Sequence, residues 1–210
     1  MLFSYGQEVV EKKIISKAGT IVIEFGMIDH IELLNSSEDN SVRVRAEGSV
    51  LPPGFDIDEK EGHVLIRDHV VPDLNEFVND ASVCIEAPDY PSYKISIPQN
   101  RALYVSFLEG NFYTEKFEGD LNLKVENGII KITEMRHPVK VRLHTGRVFV
   151  KNIRDTKIDA ETSLGVLVNN VSDTDAGSSN SKLFETIGRP TNSIMIRSIM
   201  ANIYLYRSED

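Results

Sequence analysis

Val125–Thr133 reads VENGIIKIT, and Leu143–Lys151 reads LHTGRVFVK. In both, apolar and polar residues alternate up to a glycine and alternate again beyond it. The glycines that follow such runs are Gly110, Gly128, Gly146 and Gly165, spaced by 18, 18 and 19 residues. The apolar flanks recur in step: Leu103, Val105 and Phe107; Leu121, Leu123 and Val125; Val139, Val141 and Leu143; Ile158, Ala160 and Thr162. Beyond the glycines stand Phe112, then Ile130 and Ile132, then Val148 and Val150, then Leu167. A fifth copy runs through Ile194, Ile196 and Ser198 to Ala201, Ile203 and Leu205.

Alternation with period two predicts half-buried strands. A unit of 18 residues is too short for a strand, a helix and two turns, but it suits one coil of a β-solenoid. A β-hairpin meander is the alternative, since Asn127-Gly128 is also a hairpin signal. The constant spacing favours coils. One coil cannot stand alone, because five or six inward side chains return less than ordering its backbone costs. The fold class predicted is therefore all-β: a β-solenoid or β-helix-like stack of about 18-residue coils with a less regular β N-terminal half.

Aligning the coils on glycine places Asn122, Lys140 and Asp159 in one outward column. Lys124, Arg142, Glu161 and Arg197 fall in another, with Glu161 expected between Arg142 and Arg197, as charges sit on adjacent strands.

Before the coils, Thr20–Gly26, Ser41–Gly48, His63–Asp68, Ser82–Ala87 and Tyr93–Pro98 also alternate. LNSSEDN, LPPGFDIDEKEG and APDYPS read as turns between them. Val71–Asp80 has helical spacing at Leu74, Phe77 and Val78. The expected organisation is one elongated β domain over 1–210. Residues 1–98 form an irregular capping or flanking part. Regular coils follow over 99–206, with a Ser/Asn/Asp/Gly-rich mobile loop inserted at 171–192. An open end would leave an unpaired strand edge, so a cap is needed.

Composition narrows the chemistry. The net charge is −9 over 210 residues, against a whole-surface grip on nucleic acid. Cys84 is the only cysteine, so neither an internal disulfide nor a cysteine zinc cage can form. It reads as a small buried strand residue in ASVCIEA. No apolar run approaches the ~18 residues of a membrane span. MLFSYGQEVVEKK has neither a basic n-region nor an apolar h-region. The sequence as given thus reads as cytoplasmic; removal of a leader would place the protein at the cell surface or outside the cell.

The pattern resembles a bacterial family of "putative adhesin" domains, with eukaryotic relatives. The resemblance rests on Gly19–Ile23, on ISIPQNRALYVSFLEG over Ile95–Gly110, on VENGIIKI, on the Gly188 region and on the closing SIMIRSIMANIYLY. It covers about residues 10–206 and implies stacked β coils with Asn-Gly or Ser-Gly corners. Ala201 departs from the family's glycine, and no export signal precedes the domain, although many relatives are exported. The resemblance implies no catalytic residues.

The strongest candidate site is a basic band. RHPVKVRLHTGRVFVKNIR, Arg136–Arg154, holds six Lys/Arg, two His and no acid; the segment is +6, so the rest of the chain carries −15. It can form a patch for an anionic partner through Arg136, Lys140, Arg142, His144, Arg147 and Lys151. The ordinary reading is that Lys140 and Arg142 pair with Asp159 and Glu161 in the next coil.

Other motifs carry less. Asp173-x-Asp175-x-Gly177 opens like a calcium loop, but Gly177 and Phe184 stand where ligands are needed. Asp159 and Glu161 have the spacing of paired acids on one strand, and basic neighbours make them an ion-pair ladder. His63, His69, His137 and His144 lack metal-pair spacing, and nothing calls for a cofactor. G-x-S-x-G, P-loop, H-E-x-x-H and G-x-G-x-x-G motifs are absent.

These features lead to a non-enzymatic binding or adhesion-type module that presents a rigid β-solenoid surface to a protein or an anionic glycan. The alternative is a structural self-assembly module, a homo-oligomer joined through coil ends or edges. A polysaccharide-active enzyme ranks third.

Overall fold

The computed structural model of the protein describes residues 8–38, 40–48, 54–69, 90–171 and 181–208. The strand expected at Ser82–Ala87 with Cys84, the helical turn at Val71–Asp80 and the Asp173–Gly177 motif lie outside these residues. The described chain is all-β, with fourteen strands in one mixed sheet. The first seven are β1 (Glu8–Ile15), β2 (Thr20–Glu24), β3 (Met27–Asn35), β4 (Ser41–Gly48), β5 (Phe55–Lys60), β6 (His63–Asp68) and β7 (Ser92–Ile97). Three long strands follow, β8 (Ala102–Phe117), β9 (Leu121–Met135) and β10 (Val139–Ile153). Then come β11 (Thr156–Thr162), β12 (Leu167–Asn170), β13 (Lys182–Ile187) and β14 (Asn192–Arg207).

The long strands pair in parallel at the register of the repeat. Leu103 lies beside Leu121 and Leu121 beside Val139; Gly110 lies beside Gly128 and Gly128 beside Gly146. This register forces each strand to double back. β8 holds 16 residues and would run about 53 Å if straight. Yet β9 begins beside the start of β8 after only Glu118, Gly119 and Asp120, which can bridge no more than about 10 Å. The bend lies at the mid-strand glycines, whose φ angles of 140°, 155° and 133° at Gly110, Gly128 and Gly146 disfavour a side chain. Each long strand thus has a first arm before its glycine and a second arm after it.

Both arms bury alternate residues in one core. Leu103, Val105 and Phe107 enter from the first arm of β8, and Phe112, Thr114 and Phe117 from the second. The inward residue at the end of each second arm comes three positions on, as Phe117, Met135 and Ile153 follow Thr114, Ile132 and Val150. A strict period of two does not reveal that step.

The structure alters the expected order of the stack. β14 lies between β10 and the β11–β12 pair: Val141 partners Ile196, and Ile196 partners Ala160. Arg197 therefore sits between Arg142 and Glu161, and the expected placement of Glu161 between the two arginines is corrected. The chain reaches this arrangement through the insertion. Lys182–Ile187, expected within a mobile loop, forms β13 antiparallel to β11 and covers its outer edge.

The first half is also more regular than its sequence suggests. β2 and β3 run parallel to the two arms of β8, with Ile21 beside Leu103 and Ile31 beside Phe112. β6 and β7 extend the same parallel arrangement beyond β2 and β3. Antiparallel β5, β4 and β1 close that end. β5 falls where a turn was expected, because FDIDEK buries only Phe55 fully and half-buries Ile57.

Candidate functional site

The bend at Gly146 divides the basic band. Lys140, Arg142 and His144 lie on the outer side of the first arm, Arg147 and Lys151 on that of the second, and Arg136 in the turn between β9 and β10. The two arms bury their inner residues in a shared core, so their outer sides face opposite ways. The six residues do not form one patch.

Their electrostatics differ as well. Arg136 is tied to Glu134 at 3.1 Å and Glu118 at 3.5 Å, and His144 lies 3.5 Å from Glu126. Lys116, with help from Arg136, holds the Glu118 carboxyl below the usual carboxylate range. Lys140, Arg142, Arg147 and Lys151 have no carboxylate within 4.0 Å among the described residues. The expected pairing of Lys140 and Arg142 with Asp159 and Glu161 does not occur, because β14 stands between them. Arg197 takes both acids, Asp159 at 2.6 Å and Glu161 at 3.7 Å, and Lys182 adds a contact to Glu161 at 3.5 Å. The hydrogen bond from Arg197 holds the Asp159 carboxyl below its ordinary range.

The second arms build a feature absent from the band. Tyr113, Lys131, Phe149 and Tyr204 are successive ladder neighbours across β8, β9, β10 and β14. The rings of Phe149 and Tyr204 stack at 4.7 Å with 8° between their planes. The Lys131 ammonium sits 5.1 Å from the centre of the Tyr113 ring, a cation–π contact. Burial and the nearby Asp29 carboxylate raise the Tyr113 pKa.

Between Lys131 and Phe149 the surface opens into a cleft of about 870 Å³, lined by Lys131, Thr133, Phe149, Lys151, Tyr206 and Arg207, among others. A shallower groove continues across Tyr113 to His30 and Glu32, sharing Lys131 and Thr133. Among the described residues the cleft lining has three cations and no acid.

Of the residues selected from sequence, only Lys151 lines this cleft. The repeat nevertheless held the signal. Counting from the corner residues Gly110, Gly128, Gly146 and Ala201, the third position in each coil is Tyr113, Lys131, Phe149 and Tyr204. The fifth position supplies Thr133, Lys151 and Tyr206.

Among the described residues no His, Cys, Asp or Glu side chains gather in a group of three or more that could hold a metal ion. No helix among them is long and apolar enough to cross a membrane.

Comparison with known proteins bears on the fold. No family model and no curated protein matches the chain. Among solved structures, it is similar to a "putative cell adhesion protein" from Clostridium sporogenes, with a TM-score of 0.61 and 14% identity over 97% of this chain and 100% of that one. A "putative lipid binding protein" from Parabacteroides distasonis gives a TM-score of 0.38 and 12% identity, covering 96% of this chain and 95% of the other. A "putative adhesin" from Bacteroides fragilis gives 0.29 and 10%, covering 96% and 98%. The first likeness shows a shared all-β fold; the other two are too loose to carry an argument.

Proposed function

We propose that the protein is a non-enzymatic binding module that presents its second-arm outer face to an anionic partner, a protein or a glycan. The observation that carries this reading is the cleft itself. Lys131, Lys151 and Arg207 line it together with Phe149 and Tyr206, in a chain whose net charge is −9. Cations gathered against the sign of the whole molecule focus an anionic ligand onto one place. A concave surface with aromatic walls and a few polar groups is the usual form of a recognition site.

The scaffold reads as a β-solenoid, a single elongated domain over 1–210, and the 18-residue parallel registers support that reading. A stack of this kind holds the groove residues on rigid strands, so little ordering is needed on binding. The cell-adhesion description of the similar Clostridium structure accords with a binding role.

An array of acidic glycans and acidic peptides tests the proposal. The double variant Lys131→Glu/Lys151→Glu should lose binding that wild type shows, and Lys140→Glu/Arg142→Glu on the opposite face should keep it. Equal loss in both variants would contradict the assignment of the face.

A second reading, self-assembly, is favoured by one observation. Leu164, Val166, Ile199 and Met200 are 76%, 44%, 46% and 46% exposed at the corner of the last two coils, where the Leu164 amide donates to the Ile199 carbonyl. Sedimentation over a range of concentrations tests it; association that Leu164→Glu abolishes supports it, and a monomer throughout removes it.

A further inference from the structure

We infer that Glu59 and Glu185 keep this protein from polymerising: they close the two ends of the stack against a second copy of the same chain.

The inward columns can be followed through the ladder from one end to the other. One begins at Ile57 on β5, passes through Ile23, Val141 and Ala160, and ends at Leu183 on β13. Another begins at Val10 on β1, passes through Tyr93 and Phe112, and ends at Leu167 on β12. Both are apolar at each end. Two further columns are not. Glu59 lies opposite buried Val64, at the head of a column that runs through Leu103 and Val139 to Ile158, and Glu185 lies opposite Ile158 at its foot. Lys12 and Asn169 end the column of Val44, Ile132 and Leu205 in the same way.

Among the described residues β5 pairs only with β6, and β13 only with β11. A second copy stacked head to tail would set β5 beside β13 and β1 beside β12, in the direction and register that the coils already use. Ile57 would then adjoin Leu183, and Val10 would adjoin Leu167, which extends both apolar columns. The same register sets Glu59 directly against Glu185, about 4.8 Å away at the spacing of neighbouring strands. Like charges on adjacent strands repel, and charge shut into a joined core is costly. Inward-pointing charges blunt a sheet edge for this reason.

The end groups are meanwhile satisfied within one chain. The Asn169 amide donates to Glu185 Oε2 at 2.9 Å, which bridges the two arms across the last coil. The Lys12 ammonium donates to the Phe55 carbonyl and lies 3.3 Å from Asp56, which bridges the arms at the other end. Joining the ends would have to displace these contacts.

Sedimentation and electron microscopy of the full chain test the inference, in a Leu164→Glu background that removes any contact at the corner. Glu59→Leu/Glu185→Leu completes the column and should raise the weight-average mass about ten-fold, because a head-to-tail contact repeats without closing. Glu185→Lys alone adds no apolar surface and should also form chains, which dissolve in high salt. Adding Glu59→Lys to it restores the repulsion and should return single molecules. Lys60→Leu/Thr186→Leu, at exposed positions on the outward side of the same strands, should stay single. Circular dichroism verifies that each variant is folded. Chains that form with Glu59 and Glu185 both intact, folded variants that all remain single, or assembly of the outward pair would overturn the inference.

Discussion

Gly128 lies directly beside Gly110 in the parallel ladder, and a Cβ placed on Gly128 would sit inside the Gly110 carbonyl oxygen. Gly146 meets Gly128 in the same way, and Gly165 meets Ala201. The glycines that mark the repeat therefore form one line along the corner, with Ala201 filling the place between Gly146 and Gly165. Gly128→Ala should cost about 3 kcal/mol, from the steric clash and from a φ of 155°. Ala201→Gly should cost no more than about 1 kcal/mol. Denaturant midpoints of the two variants check the contrast.

Where the glycine is missing, hydroxyls hold the corner. The Thr162 hydroxyl donates to the Ala201 carbonyl at 2.9 Å, accepts from the Gly165 amide at 3.1 Å and lies 3.0 Å from the Ser198 hydroxyl. The Ala201 amide donates to Ser198 Oγ at 2.9 Å. Thr162→Val keeps the shape but removes the acceptor of the half-buried Gly165 amide and one of the two hydroxyl donors to the Ala201 carbonyl, which keeps Ser198. A loss of about 1–3 kcal/mol is expected, read from urea unfolding.

The order of the stack can be tested chemically. Lys140 and Met195 are ladder partners, so their Cα atoms lie about 4.8 Å apart, within reach of a disulfide. Lys140 and Asp159 are two steps apart, roughly 10 Å, beyond that reach. Under mild oxidation Lys140→Cys/Met195→Cys should retain one free thiol, that of Cys84. Lys140→Cys/Asp159→Cys should retain three. Thiol titration distinguishes this order from one that follows the sequence.

The ion pair at the end of the stack makes stability depend on pH. Asp159 has a depressed pKa in the folded protein through its hydrogen bond from Arg197. Its contribution is present above the unfolded carboxylate value of about 3.9 and is lost as pH falls through the lower folded value. Asp159→Asn should cost about 1 kcal/mol at pH 7, with the gap to wild type narrowing as pH falls below the unfolded carboxylate value. Thermal melts across that range check the sign.

The glycine corners and the inward columns were legible in the sequence, because parallel stacking repeats the same environment every 18 residues. The stack order was not, since Ile194–Leu205 and Ile158–Leu167 present similar apolar columns to β10. The hairpin partner β13 favours β11 on the outside. β1 and β5 escaped notice because EVVEKKII and FDIDEK are edge-type sequences with few buried positions. The cleft was hidden for a different reason. Tyr113, Lys131, Phe149 and Tyr204 share one column but no common chemistry, so no repeated residue type marks it.

The outer face used for binding is the claim on which the functional account rests. The most direct measurement is side-chain chemical-shift perturbation on titration with an oligogalacturonate. The aromatic resonances of Phe149, Tyr204 and Tyr206 and the ammonium signals of Lys131 and Lys151 should move together and saturate, with Lys140 and Arg142 unaffected. Saturable shifts confined to Lys124, Lys140 and Arg142 on the opposite face would contradict it.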